Sequence, residues 1–101
     1  MRQIIDGKLY NTETAECIGD WYSGHCYNDF RYEEASLYRT KKGQFFLYEY
    51  GGPMTDMATQ YGDSYGSGEG LRLLDENEAQ EWVLEHLSTS VYLKYWECEE
   101  G

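Results

Sequence analysis

The sequence is short of bases. Eight Lys and Arg stand against nineteen Asp and Glu, a formal net charge of -11. That deficit excludes unaided nucleic-acid binding as the default behaviour of the whole chain, because such a field repels phosphate. Aliphatic residues are also scarce: Ile, Leu, Val and Phe together number seventeen among 101 residues. So low a share combined with high net charge is the compositional mark of disorder. Eleven Tyr and three Trp offset it, since each aromatic buries far more area than an alanine or a valine. The expectation is a folded domain with an aromatic core. Proline occurs once, and no low-complexity polar tract is present. No apolar run approaches the ~20 residues that span a bilayer. The opening MRQIIDGKLY is too polar for the apolar stretch of a signal peptide. The three cysteines, Cys17, Cys26 and Cys98, are an odd number without a secretion signal. They read as reduced thiols in a cytoplasm.

What is present is a polarised charge. Residues 51–101 hold eleven acids and only two bases, Arg72 and Lys94, whereas residues 1–50 hold eight acids and six bases. A field of this kind favours a partner that is itself basic, a class that includes proteins built to hold DNA or RNA.

The length predicts a single domain over residues 1–101. Asp6-Gly7 between apolar-containing flanks predicts a tight hairpin, because both turn positions want positive φ. A polar connection with one helical turn is expected over residues 11–15, and a strand over residues 17–22 anchored by Ile18 and Trp21. Residues 36–40 and 44–50 form the clearest unit, a hairpin closed by Lys41-Lys42-Gly43 with Gly43 in the left-handed position. Alternation puts Phe45 and Leu47 on one face of that strand and Phe46, Tyr48 and Tyr50 on the other. Apolar groups on both faces predict a central strand with a helix over one side. Residues 51–70 contain six glycines and read as a flexible surface loop, with a short helix over residues 55–61. A short strand over residues 71–74 precedes a helix capped by Asp75, with Glu78 completing a capping box. Ala79, Trp82, Val83, His86 and Leu87 make its inner stripe, and Glu78, Glu81 and Glu85 its outer one. A second short helix begins near residues 88–90 and carries Val91, Tyr92, Tyr95 and Trp96. The acidic tail, residues 97–101, is expected to fray. The fold class that follows is α+β: an antiparallel sheet of four to six strands packed against one main C-terminal helix, plus short helices.

No catalytic or metal motif emerges. His25 and Cys26, with Cys17 or His86, lack the close paired spacing of structural zinc sites. Cys26 as a nucleophile lacks an orienting third group, and an inert thiol is the simpler reading. The glycine-rich loop has no Lys-Ser/Thr ending, and its Asp56, Asp63 and Glu69 repel phosphate. Those acids also lack the spacing of a calcium loop. No metal and no cofactor is expected. Tyr61 and Tyr65 among Gly and Ser resemble binding-loop chemistry, where a rigid ring supplies area and a hydroxyl supplies direction. The outer glutamate stripe could be a plain solvated face. No Lys or Arg interleaves it between Asp75 and Ser90, so self-repulsion that i,i+4 pairs would relieve is tolerated.

The turns and strand edges also carry a resemblance. Ile5-Asp6-Gly7-Lys8, Tyr10-Asn11-Thr12-Glu13-Thr14-Ala15, Leu37-Tyr38-Arg39-Thr40-Lys41-Lys42-Gly43, Phe46-Leu47-Tyr48 and Gly51-Gly52 resemble a family of small acidic proteins on mobile elements of Gram-positive bacteria. The resemblance covers residues 1–87 and supplies no catalytic residue. Related small acidic proteins include anti-CRISPR proteins. It implies a non-enzymatic inhibitor of a basic nucleic-acid-handling protein, with a CRISPR effector as the partner and no direct nucleic-acid or membrane contact. The expected binding residues are Glu78, Glu81, Glu85, Asp63, Glu69, Tyr61 and Tyr65. The competing expectations are a mobile-element adaptor acidic only for solubility, and a small enzyme built on Cys26.

Overall fold

A computed structural model describes residues 1–101. The chain begins with the hairpin β1 (Arg2–Ile5) and β2 (Lys8–Asn11), joined by Asp6 at φ 51° and Gly7 at φ 77°. Both turn positions are left-handed, as a two-residue turn that follows strand twist demands. A hydrogen-bonded turn, with Ala15 N–H donating to the Asn11 carbonyl at 3.1 Å, leads onward. The main sheet follows: β3 (Glu16–Tyr22), β4 (Glu33–Arg39), β5 (Phe45–Gly51) and, later in the chain, β8 (Gly68–Leu74). All neighbours are antiparallel in the order β3-β4-β5-β8. Between β5 and β8 lies a small ribbon, β6 (Thr59–Tyr61) with β7 (Ser64–Gly66). Two helices close the chain, α1 (Glu76–His86) and α2 (Thr89–Tyr95). The α+β expectation and the four-stranded sheet are both realised.

The sheet is covered on both sides. On one face Leu37, Leu47 and Leu74 meet Ala79, Trp82 and Val83 of α1. Val91, Tyr92, Tyr95 and Trp96 of the α2 segment pack on the same cluster. On the other face Phe46 and Leu71 meet Tyr10 of the β1–β2 hairpin. Phe45, Phe46 and Leu47 are consecutive yet all buried, which only a central strand between two layers permits. The Asp75 carboxylate accepts from Glu78 N–H at 2.8 Å while the Glu78 carboxylate accepts from Asp75 N–H at 3.1 Å, so the capping box is complete. Loss of such a cap costs about 1 kcal/mol.

Residues 51–70 depart from expectation. No helix forms over residues 55–61; a turn there gives way to strand β6. Gly62 at φ 61° starts a two-residue turn that pairs Tyr61 with Ser64, and Thr and Tyr suit the resulting ribbon better than a helix. The last strand begins at Gly68 rather than Leu71. Its glycines lower strand propensity and hide it from pattern reading, but they are sites of close approach. A Cβ at Gly68 would collide with the Met57 carbonyl oxygen, and one at Gly51 with the Thr55 hydroxyl. The connection over residues 52–58 therefore lies directly on the sheet. Gly52 N–H donates to the Tyr32 carbonyl and Met54 N–H to the Phe30 carbonyl, both at 2.8 Å, fastening it to the β3–β4 connection.

Candidate functional site

Helix α1 crosses above β8, the edge strand, with Ala79 and Val83 turned into the core. The 3.6-residue period then leaves Glu78, Glu81 and Glu85 exposed along the side of the helix that overhangs β8. Two adjoining hollows of about 230 and 280 Å³ run beneath this stripe and share Arg72, Trp82 and Glu85. Glu33 and Glu49 of the sheet extend the carboxylate wall of the second hollow, over a floor of Trp21, Trp82 and His86. His86 stacks on Trp82 with ring centroids 4.8 Å apart and meets Trp21 edge-on at 4.9 Å. The result is a shallow groove with acid walls and an aromatic base.

One base lies in the groove. Arg72 Nε donates to Glu49 Oε1 at 3.0 Å, so its charge is already matched. The pair is exposed and contributes at most about 1 kcal/mol to folding. Its effect is on the field: five glutamates face one arginine. Glu78 and Glu85 are seven residues apart, about 10 Å along the helix axis at 1.5 Å per residue. That length matches the axial rise of about three nucleotides of one DNA strand. Three carboxylates thus occupy the axial span of about four successive phosphates.

The remaining candidates lie elsewhere. Glu69 is on β8 but on the opposite face of the sheet, where its carboxylate accepts from the Tyr48 hydroxyl at 2.7 Å. Asp63 is in the exposed turn of the β6–β7 ribbon. Tyr61 and Tyr65 are both exposed, but Tyr61 pairs across with Ser64 and Tyr65 with Gln60. Adjacent cross-strand pairs point to opposite sides, so the two rings cannot lie on one flat partner. Tyr61 instead folds over Gly66, where a Cβ would meet its ring at 2.7 Å. His25 and Cys26 sit in the exposed β3–β4 connection, Cys17 on the edge strand β3, and His86 on α1. No group of three or more His, Cys, Asp or Glu side chains is arranged to hold a metal ion.

A second surface was not foreseen. On the sheet face away from the helices, register aligns Tyr22, Glu34, Tyr50 and Glu69 in one row across four strands. Tyr27 stacks on Tyr50 with centroids 5.9 Å apart, and Tyr32 meets Tyr27 edge-on at 5.2 Å. Burial and the Glu34 carboxylate, which accepts from the Tyr32 hydroxyl at 2.9 Å, push the Tyr32 phenol up to about 12. Burial and Glu69 likewise push the Tyr48 phenol up. The Tyr32 and Tyr48 hydroxyls are held as donors to the Glu34 and Glu69 carboxylates. Tyr48-Glu49-Tyr50 on β5 is the available signal in the sequence, but Tyr27 and Tyr32 join Tyr50 from the β3–β4 connection, which only the tertiary fold lays over the sheet.

Comparison with protein-family models, with curated proteins and with solved structures yields no match.

Proposed function

We propose that the protein is a non-enzymatic inhibitor that binds the nucleic-acid channel of a basic protein and competes with DNA there. The observation that carries this reading is the groove. The Glu78, Glu81 and Glu85 stripe runs into Glu49 and Glu33 with one arginine, already paired, among them. Acids spread for solubility alone need no such continuity, and like charges this close repel one another in the free protein. A partner lined with Lys and Arg relieves that repulsion on binding. The field speeds encounter and sets specificity, and the Trp21, Trp82 and His86 floor supplies area for the stems of the partner's basic side chains.

The resemblance to acidic mobile-element proteins gives the more specific form of the proposal. The protein is an anti-CRISPR protein acting in a bacterial cytoplasm, and its partner is a CRISPR effector. Such effectors hold guide and target in a positively charged channel. Glu69, Asp63, Tyr61 and Tyr65 belong to other surfaces and are secondary in this reading.

The test is target-DNA binding by a panel of guide-loaded CRISPR effectors, measured with and without the protein at low and at high salt. The reading predicts that one effector loses target binding and that the inhibition weakens as salt rises, since exposed charges are screened beyond about 10 Å at 0.1 M. No inhibition of any effector in the panel at low salt contradicts the CRISPR form. Inhibition that salt leaves unchanged contradicts the electrostatic mechanism.

A further inference from the structure

The largest hollow in the molecule has the opposite charge to everything described so far. Two open clefts of about 570 and 460 Å³ lie between the Asn11–Ala15 turn and the β4–β5 connection. They share Thr14, Ala15, Thr40, Lys41 and Lys42, so they form one continuous trough. Lys8 lines one end and Arg39 the other. Four of the eight bases in the chain, Lys8 and the Arg39, Lys41 and Lys42 group, therefore converge here from two separate stretches of sequence. The only lining carboxylate, Glu16, accepts from Arg39 at 2.7 Å and is neutralised by it. Lys8, Lys41 and Lys42 are exposed and form no salt bridge.

The trough also presents donors. Thr40 Oγ1 accepts from Gln44 N–H at 3.1 Å, which leaves its own hydroxyl proton free to donate outward. Within the connection, Thr40 N–H and Gly43 N–H are used, donating to Gln44 and Thr40 carbonyls at 2.9 Å, whereas Lys41 and Lys42 N–H have no partner in the protein. Mobile ammonium groups, a hydroxyl and free backbone N–H groups around one concavity are the donor set of a phosphate site.

We propose that this trough binds the phosphodiester backbone of a single-stranded nucleic acid. The trough is long and open rather than enclosed, which fits a chain of phosphates better than one small anion. It offers no platform for bases: its one aromatic, Tyr10, is buried in the core. Its one guanidinium is committed to Glu16. Recognition is then by charge and spacing, without sequence reading. The inference goes beyond the inhibitor reading and does not depend on it. Once a basic partner neutralises the acid groove, the field that repels phosphate from the trough is weakened.

The test uses the intact protein with a fluorescent 12-nucleotide single strand, followed by anisotropy at low salt and by backbone amide NMR. The expected result is saturable binding, with amide shifts confined to Thr14 and residues 40–43. The plot of log affinity against log salt should have a slope of about -2, as expected for roughly three phosphates neutralised on a single strand. Lys8→Gln, Lys41→Gln and Lys42→Gln together should weaken binding at least tenfold while the melting temperature holds. Unchanged binding by that variant, or shifts located elsewhere, overturns the proposal. Inorganic pyrophosphate binding as well as the oligonucleotide, per phosphate, makes this a site for free polyphosphate and overturns the backbone assignment. Sedimentation showing self-association that the triple variant abolishes makes the occupant the acid groove of a second copy, and overturns it also.

Discussion

Single residues in this protein are set by partners that lie far off in sequence. Gly68 shows this most sharply. Nothing nearby in sequence requires glycine there, yet a Cβ would collide with the Met57 carbonyl oxygen, which is backbone and cannot swing away. Gly68→Ala is predicted to destabilise by about 1–3 kcal/mol, the usual cost of overpacking. A melting curve unchanged from the parent would contradict the close packing of residues 52–58 on the sheet. The tyrosines make a second residue-scale prediction. Tyr32 is held near 12, against an ordinary value of 10.0, chiefly by burial and then by Glu34. Folding therefore favours the neutral phenol. Its contribution is fully present below pH 10 and is lost as pH rises toward 12. Melting temperature should fall over that window, and Tyr32→Phe should flatten the fall. Asp29 works at the acid end: hydrogen bonds from Arg31 hold its carboxyl at about 2. Its contribution is present above the ordinary value of 3.8 and is lost as pH falls toward 2.

Elements were legible where their chemistry is local. Asp6-Gly7, Gly43 and the Asp75–Glu78 box each specify a turn or a cap within a few residues, and each is found in place. Alternation along β5 correctly separated Phe45 and Leu47 from Phe46. The glycine-rich stretch was less legible: no helix forms over residues 55–61, and Gly51 and Gly68 answer to tertiary packing, which no window of sequence contains. The groove was half legible. Helical spacing grouped Glu78, Glu81 and Glu85, but Glu33, Glu49 and Arg72 join them only through sheet register. Lys8 and Lys41 come together by packing of the β1–β2 hairpin on the face of the main sheet. The β6–β7 ribbon carries an element-scale prediction. Tyr61→Ala and Tyr65→Ala are expected to leave the fold intact, since both rings are exposed. Because they face opposite ways, at most one should weaken partner binding. Equal losses from both would contradict the ribbon's register or its secondary role.

At the scale of the whole molecule, charge is sorted rather than merely abundant. Acids line the groove along α1 and β8, while half of the bases ring the trough beside the β4–β5 connection. A net charge of -11 costs the folded state self-repulsion. Folding stability should rise modestly as salt screens that repulsion, whereas affinity for a basic partner should fall. These opposite slopes, read by thermal melting and by binding over one salt series, distinguish a functional field from a structural one.

On the proposed function, placement of charge rather than its total makes the protein an inhibitor. Two variants remove three negative charges each. One carries Glu78→Gln, Glu81→Gln and Glu85→Gln in the groove, where helix propensity and side-chain size are nearly kept. The other carries Glu97→Gln, Glu99→Gln and Glu100→Gln in the exposed C-terminal segment. Both are compared with the parent in competition against DNA for the inhibited partner at low salt. The predicted result is a loss of about tenfold or more in inhibition for the groove variant, seen mainly as slower association with a shallower salt dependence. The C-terminal variant should stay close to the parent. Equal inhibition by parent and groove variant, or equal losses in the two variants, would contradict the account.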